Sequence, residues 1–206
     1  MSNILLDAKG ITKIFPGVKA LDNVDLQIAK GEVHGLIGEN GAGKSTIIKI
    51  LAGVHTPDGG EITFCGESYA KDDINQSLSR GISVIYQELC LVPHMTVYEN
   101  IMLGFEPTKG MKYNANDSRK AAQKILDDLQ LELPLDAEVA SLDIAVQQMV
   151  EIAKAVSYNS KVIVFDEPTS SLTEEEVEHL FTIINMLRDR GVGIIYISHK
   201  MAEIKR

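Results

Sequence analysis

Short apolar runs alternate with helix-like stretches along the chain after residue 30. The runs are rich in β-branched residues, too short for buried helices, and typical of strands buried on both faces of a parallel sheet. The predicted central strands are 32–37, 82–86, 161–165 and 192–197. By contrast, the first 30 residues and 60–66 are strand candidates broken by turn residues, which favours an antiparallel sheet at the edge of an α/β domain.

The middle of the chain has a different, mainly helical pattern over 88–158. Asn116 is the predicted N-cap of a helix that runs through Gln130, with apolar positions at helical spacing. A second helix is predicted over 146–156. We therefore expect 1–206 to form a single domain in which 88–158 is an inserted helical subdomain.

Composition argues against several classes of protein. The chain has 206 residues, 45% of them hydrophobic and 24% charged, with a formal net charge of -9, so no basic surface for nucleic acid is expected. The two cysteines, Cys65 and Cys90, have no metal-binding spacing and are expected to be reduced thiols. No secretory signal and no membrane-spanning run is recognised, so we expect any membrane role to depend on a partner.

A glycine-rich motif follows a predicted strand and leads into a helix that is predicted over 44–52. It fits the pattern G-x-x-x-x-G-K-[ST], in which backbone N–H groups surround phosphates, the lysine binds the β- and γ-phosphates and the hydroxyl ligates Mg²⁺. The alternative is a glycine-rich turn before an ordinary helix, which the context disfavours. The predicted nucleotide-binding residues are Gly38, Glu39, Asn40, Gly41, Ala42, Gly43, Lys44, Ser45 and Thr46.

Two carboxylates follow the apolar run 161–165, at the end of a parallel strand where such sheets bind ligands. Asp166 can hold Mg²⁺, through water, and Glu167 can orient and deprotonate the water that attacks the γ-phosphate. Without the phosphate motif, a polar turn after a core strand would be an equal alternative.

Three further segments, in order, make the chain resemble the ATP-binding cassette (ABC) ATPases. They are Gln87 in Val-Ile-Tyr-Gln-Glu, Asp166-Glu-Pro-Thr-Ser-Ser-Leu-Thr173, and His199 in Tyr-Ile-Ser-His-Lys. The resemblance covers essentially the whole chain and implies a P-loop NTPase (RecA-like) core with an antiparallel β edge subdomain and the inserted helical subdomain. A GTPase is disfavoured, because no N-K-x-D motif is present.

Finer wording is similar to the ATPases of bacterial importers for ribose, galactose or xylose. The segments are Phe15-Pro-Gly-Val-Lys-Ala-Leu21, the phosphate motif, and Gln148-Met-Val-Glu-Ile-Ala-Lys-Ala155. That family carries two cassettes in one polypeptide, and these segments resemble the first. We therefore expect a chain truncated at its C-terminus, just past His199.

The resemblance implies a role for each matching residue. Phe15 would stack on adenine, Gln87 would sense Mg²⁺ and the attacking water, Glu167 would be the general base, and His199 would contact the γ-phosphate. Each has a structural alternative: a packed edge-strand aromatic for Phe15, a solvated polar residue for Gln87, and a helix-capping or core residue for His199. The other histidines, His34, His55, His94 and His179, are interpreted as surface or core residues.

The chain departs from the family at its signature segment. Asp143 replaces the usual serine and Ala145 the close-approach glycine, so a carboxylate would face phosphate on an opposing cassette. Two predictions remain open at Asp143: a degenerate second site in the full-length protein, or a simple helix N-cap. Thr173 replaces the usual aspartate of the last motif and, with Glu176, forms a capping-box pattern for a helix toward Arg190.

The resemblance also implies partners and a location. Expected partners are membrane permease subunits, a second ABC cassette and, indirectly, a periplasmic or extracellular sugar-binding protein, at the cytoplasmic face of the cell membrane. The segment 91–101 resembles the surface that receives the permease, although it is apolar enough to be subdomain core. Alternative functions are a non-transport ABC ATPase or a nucleotide-dependent interaction module without hydrolysis.

Overall fold

The computed structural model describes residues 3–39, 41–69, 73–109 and 112–206. The strands are β1 (Ile4–Phe15), β2 (Val18–Ala29), β3 (Val33–Leu36), β4 (Gly59–Phe64), β5 (Glu67–Ser68), β6 (Ile82–Ile85), β7 (Thr108–Lys109), β8 (Lys112–Tyr113), β9 (Val162–Asp166) and β10 (Gly193–Ile197). The helices are α1 (Lys44–Leu51), α2 (Ile74–Arg80), α3 (Val97–Met102), α4 (Ala115–Leu129), α5 (Ile144–Ser157), α6 (Glu174–Asp189) and α7 (Met201–Ile204), with a 3-10 turn at Val139–Ser141.

The described chain divides into two units. One contains the described residues of Met1–Val84 together with Ser160–Glu167 and Leu187–Arg206; the other contains those of Ile85–Asn159 and Pro168–Met186. The predicted subdomain 88–158 falls within the second unit, which also includes 168–186; its boundaries stay a prediction.

A sheet of order β3-β10-β9-β6 forms the centre of the first unit. β10 pairs in parallel with both β3 and β9. Every residue of β10 is buried, as are the first four residues of β9, which explains their continuous apolar sequence. The predicted α/β parallel core is confirmed, with strand ends within one or two residues of those predicted.

A second sheet, of order β2-β1-β4-β5, is antiparallel at each described pairing. This confirms the antiparallel arrangement predicted for the first 30 residues and 60–66. Its inward side chains pack with those of α1 and the central sheet into one core. Fully buried members include Leu6, Ile11, Ile28, Ile48, Leu51, Ile62, Val164 and Ile195.

The second unit is built on α3, α4 and α5, which pack on one another. The helices bury Val97, Ile101, Ala122, Leu126, Val150 and Ala153 at their contacts. A two-stranded antiparallel pair, β7 and β8, lies between α3 and α4 in the chain and was not predicted.

The predicted N-cap Asn116 is wrong. α4 begins at Ala115, and its N-cap is Asn114, whose extended backbone lets the side-chain oxygen accept the Asp117 N–H at 3.3 Å. The Asn114 amide also donates to the Asp117 carboxylate at 2.7 Å. Two asparagines stood near the same helix start, and only their backbone conformations distinguish the cap from a residue in the first turn.

The capping box at the start of α6 is confirmed. The Thr173 N–H donates to the Glu176 carboxylate at 2.7 Å, and the Glu176 N–H donates to the Thr173 hydroxyl at 3.4 Å. These two bonds satisfy backbone donors that the first turn of a helix leaves without partners. The local sequence therefore accounts for Thr173 in this position.

Candidate nucleotide-binding site

The glycine-rich loop joins β3 to α1, as the motif predicts. Gly41 and Gly43 have φ of +83° and +90°, a region that L side chains rarely adopt. Gly43 is also the N-cap of α1 and approaches β2 closely, since a Cβ there would lie 2.7 Å from the Ala20 carbonyl oxygen and 2.8 Å from Leu21. Among the described residues, none has an atom within 4 Å of a Cβ at Gly41. Glycine is thus required at position 43 by both conformation and space.

The start of α1 provides the positive end of a helix. Gly43 has no side chain to cap it and the first turn carries no acidic residue. The Gly43 carbonyl accepts the N–H groups of Thr46 and Ile47, each at 3.0 Å, so the preceding amides of Lys44 and Ser45 have no partner inside the helix. Such amides, together with the helix dipole, favour an anion at this position.

Lys44 folds back over the loop. Its ammonium donates to the carbonyl oxygens of Gly38 and of Glu39, the latter at 3.0 Å. The Ala42 N–H donates to the Glu39 carbonyl at 3.1 Å, which closes the loop on itself. The described part of the motif therefore places a cation and helix-terminal amides together. Asn40 lies outside the described residues.

Asp166 is the last residue of β9, and Glu167 follows it. Burial raises the pKa of Asp166 above its ordinary value, and the charge of Glu167 raises that pKa further. The charges of Lys44, His199 and Lys49 act in the opposite direction. Lys44 of the loop and the carboxylates at the end of β9 are therefore close enough to interact electrostatically.

Glu167 and His199 form a direct pair. His199 Nε2 lies 2.7 Å from Glu167 Oε1, with 42% of the histidine side chain and 27% of the glutamate side chain exposed. Glu167 has a φ of +50°, unusual for a residue with a side chain, and its N–H donates to the Ile197 carbonyl at 3.1 Å. Strained backbone of this kind is commonly found at functional sites.

Glu203, which is only 8% exposed, forms hydrogen bonds with the segment that precedes His199. The hydroxyls of Tyr196 and Ser198 donate to the Glu203 carboxylate at 3.0 and 2.7 Å. Sequence reasoning missed Glu203, whose only signal was a carboxylate one helical turn after the histidine.

The remaining predicted residues lie in different surroundings. Phe15 is half-buried at the end of β1, with its ring against His55. Gln87 is exposed after β6 and belongs to the second unit. Ser45 is exposed and Thr46 half-buried in the first turn of α1. The functions of these residues stay predictions.

The altered signature segment begins a helix. Asp143 is the N-cap of α5, and its carboxylate accepts the Val146 N–H at 2.9 Å. The N-cap alternative is therefore confirmed. Asp143 is also exposed, so the cap leaves its charge at the surface of the protein.

Neither a metal-binding cluster nor a membrane-spanning helix is found in the part of the chain that the structure describes. No group of three or more His, Cys, Asp or Glu residues there is arranged to hold a metal ion. Nor is any helix within 3–39, 41–69, 73–109 and 112–206 both long and apolar enough to cross a membrane.

Comparison with known proteins agrees with this geometry. The profile of the family described as ABC transporter matches residues 21–170. The galactose/methyl galactoside import ATP-binding protein MglA of Salmonella typhimurium is 50% identical over 200 residues, which are 97% of this chain and 40% of that protein. A putative ribose/galactose/methyl galactoside import ATP-binding protein of Geobacillus kaustophilus is 52% identical over 98% of this chain and 41% of its own length. The chain thus spans about 40% of the length of these relatives.

Solved structures show the same fold. The ADP conformation of an ATP-binding cassette of an ABC transporter matches with a TM-score of 0.86 and 28% identity, over 98% of this chain and 84% of that one. The dimeric structure of a bacterial ABC transporter cassette matches with a TM-score of 0.83 and 27% identity, over 98% and 90%. The chain therefore belongs to the ABC transporter family and has the fold of its ATP-binding cassettes.

Proposed function

We propose that this cassette binds ATP with Mg²⁺, hydrolyses it, and supplies the energy for an importer of monosaccharides of the ribose, galactose or xylose type. The observation that carries the proposal is the convergence of Lys44, Asp166, Glu167 and His199 in one unit, at the ends of three parallel strands and the start of α1. The names of the relatives, which are import ATP-binding proteins, support the sugar class.

The phosphates of ATP would bind at the start of α1. The amides of Lys44 and Ser45 and the Lys44 ammonium are donors suited to a polyanion, and binding would exchange the loop carbonyls that Lys44 now contacts for phosphate oxygens. Glu39, Ala42 and Thr46 would contribute backbone groups around the same phosphates, together with Gly38 and Asn40 in the same motif.

Mg²⁺ would neutralise phosphate charge during transfer. The Ser45 hydroxyl and the Asp166 carboxylate are hard oxygen donors of the kind this ion prefers, and two such ligands suffice where the nucleotide and water supply the others. Asp166 would act through water. The charges of Lys44, His199 and Lys49 oppose the rise in the pKa of Asp166, and a bound Mg²⁺ would favour the ionised carboxylate further.

Glu167 is the proposed general base. It would accept a proton from the water that attacks the γ-phosphorus, while the ADP oxygen departs with the bonding electrons. His199, at 2.7 Å, orients the carboxylate and would contact the γ-phosphate. Phe15 would stack on adenine.

The proposed partners follow from the relatives and from the dimeric cassette structure. A second cassette would close on this one, membrane permease subunits would receive the motion at the segment 91–101, and a sugar-binding protein would act indirectly. The complex would lie at the cytoplasmic face of the cell membrane. Because Asp143 presents a carboxylate where the signature serine is expected, we further propose that the signature of this half serves a degenerate site.

Co-purification and turnover of the full-length protein test the proposal. Full-length protein should co-purify with a membrane permease, and its sugar-stimulated ATPase in proteoliposomes should be lost on Glu167→Gln. Full ATPase without any permease association would favour a non-transport ABC ATPase. Binding of ATP without turnover, even with permease present, would favour a nucleotide-dependent interaction module.

A further inference from the structure

A cluster of contacts joins the end of β1 to the loop after α1. The Asp58 carboxylate accepts the Ile14 N–H at 2.7 Å and the Lys13 ammonium at 3.2 Å, while the Asp58 N–H donates to the Thr12 carbonyl at 2.8 Å. Lys13 also donates to the Thr56 carbonyl at 2.7 Å. The hydrogen bonds from Ile14 and Lys13 hold the pKa of Asp58 below its ordinary value. The loop after α1 is thus hydrogen-bonded to β1 immediately before Phe15.

Two side chains contact the Phe15 ring: His55, from the same loop as Asp58, and Lys13 of β1. Its centroid lies 5.4 Å from that of the His55 ring, with the planes at 69°, an edge-to-face arrangement. The Lys13 ammonium lies 5.6 Å from the same centroid, within range of a cation–π interaction. The aromatic ring is therefore fixed in orientation and is not simply a side chain lying on the surface.

His55 links this ring to the phosphate-binding helix. Its N–H donates at 3.1 Å to the carbonyl of Lys49, in the last turn of α1. The first turn of the same helix carries Lys44 and the amides of the phosphate site. A single eight-residue helix thus carries the phosphate site at one end and the support of the aromatic ring at the other.

The face that Phe15 presents is apolar. Val18 is its partner across the β1–β2 pair, so the two side chains lie on the same side of the ladder, and Val18 is 57% exposed. An aromatic ring beside an exposed aliphatic side chain suits a flat, apolar group such as a nucleobase.

We propose that His55 is a positioning residue for base recognition: it holds the Phe15 ring in the orientation that stacks adenine, and Asp58 holds the loop that carries His55 against the strand that carries Phe15. This inference rests on the proposed function, because it assumes that the cassette binds ATP with Phe15 against the base. The competing explanation is that His55 and Asp58 only stabilise the hairpin.

A pair of probes separates these explanations. Calorimetric titrations with MgATP and with magnesium tripolyphosphate, which has no base, compare total affinity with phosphate affinity alone. His55→Ala should weaken MgATP binding about three- to tenfold, the range expected for one edge-to-face aromatic contact, and should leave tripolyphosphate binding within about twofold. His55→Phe keeps an aromatic edge against Phe15 and should restore most of the affinity for MgATP.

Two further variants provide an independent test of the contact and a control for non-specific effects of substitution. Asp58→Asn should weaken MgATP selectively in the same way, and His179→Ala, on the exposed face of α6, should change neither titration. Equal losses for both probes, or no loss of MgATP affinity in either His55→Ala or Asp58→Asn, would overturn the inference while leaving the proposed function standing. If unmodified protein binds tripolyphosphate but gains nothing from the base, the inference also fails. If it binds neither probe, the proposed function itself fails, and the inference with it.

Discussion

Alanine at Gly43 should destabilise the protein more than alanine at Gly41, although both glycines have similar positive φ. The left-handed conformation costs about 1–2 kcal/mol for an L residue in either position. Only Gly43 adds an overlap, because its new Cβ would lie 2.7 Å from the Ala20 carbonyl oxygen and 2.8 Å from Leu21 Cδ2. Overpacking of this kind costs about 1–3 kcal/mol, since β2 or α1 must shift.

Urea unfolding followed by far-ultraviolet circular dichroism measures this difference. We expect Gly43→Ala to lose about 2–5 kcal/mol and Gly41→Ala about 1–2 kcal/mol, with unchanged m-values. Gly17→Ala, at φ +84° with no atom of the described residues within 4 Å of the new Cβ, is a matched control that should behave like Gly41→Ala. Equal losses at Gly43 and Gly41 would refute the close approach of the loop to β2.

Three other predictions concern buried or paired side chains. Burial raises the pKa of Glu151 above its ordinary value, so its ionisation opposes folding and its contribution to stability falls as pH rises through the folded-state pKa. Glu151→Gln should therefore gain stability relative to unmodified protein between pH 5 and pH 8 in urea unfolding, and a difference that does not change with pH would contradict this. Asn100, fully buried, binds both the N–H and the carbonyl of Val92, at 2.8 and 3.0 Å; Asn100→Ala should cost about 2–4 kcal/mol by the same assay, and a loss under about 0.5 kcal/mol would mean that water replaces the amide. Glu167→Gln should keep ATP binding within about threefold, because the amide can still bond to His199, but should lower single-turnover hydrolysis by about 10²-fold or more in the full-length protein, and near-normal turnover would exclude Glu167 as the base.

Local signals in the sequence account for much of this fold. The buried strands, the loop before α1 and the capping box at Thr173 each depend on residues within a few positions of one another, so their patterns could be interpreted directly. Asn114 and Asn116 show the limit of such signals: both are good caps, and only the backbone conformation of the folded chain distinguishes them.

Contacts between distant segments could not be predicted. His55 contacts Phe15 across 40 residues, and Glu167, whose φ is positive, donates its N–H to Ile197 at the end of another strand. Glu203 likewise belongs to no recognised motif. Its support of the segment before His199 is seen only from its burial and its hydrogen bond with Ser198. Periodicity shows which face of an element is apolar, but it does not show which side chain lies opposite.

The central claim is that Lys44 and the start of α1 bind the phosphates of ATP. Calorimetric titration of folded full-length protein with MgATP, beside Lys44→Ala of equal unfolding stability, tests it most directly. We expect saturable binding by the unmodified protein and a loss of at least tenfold in affinity for the variant, from the missing ammonium. No binding by the unmodified protein, or equal affinities for the two, would contradict the account.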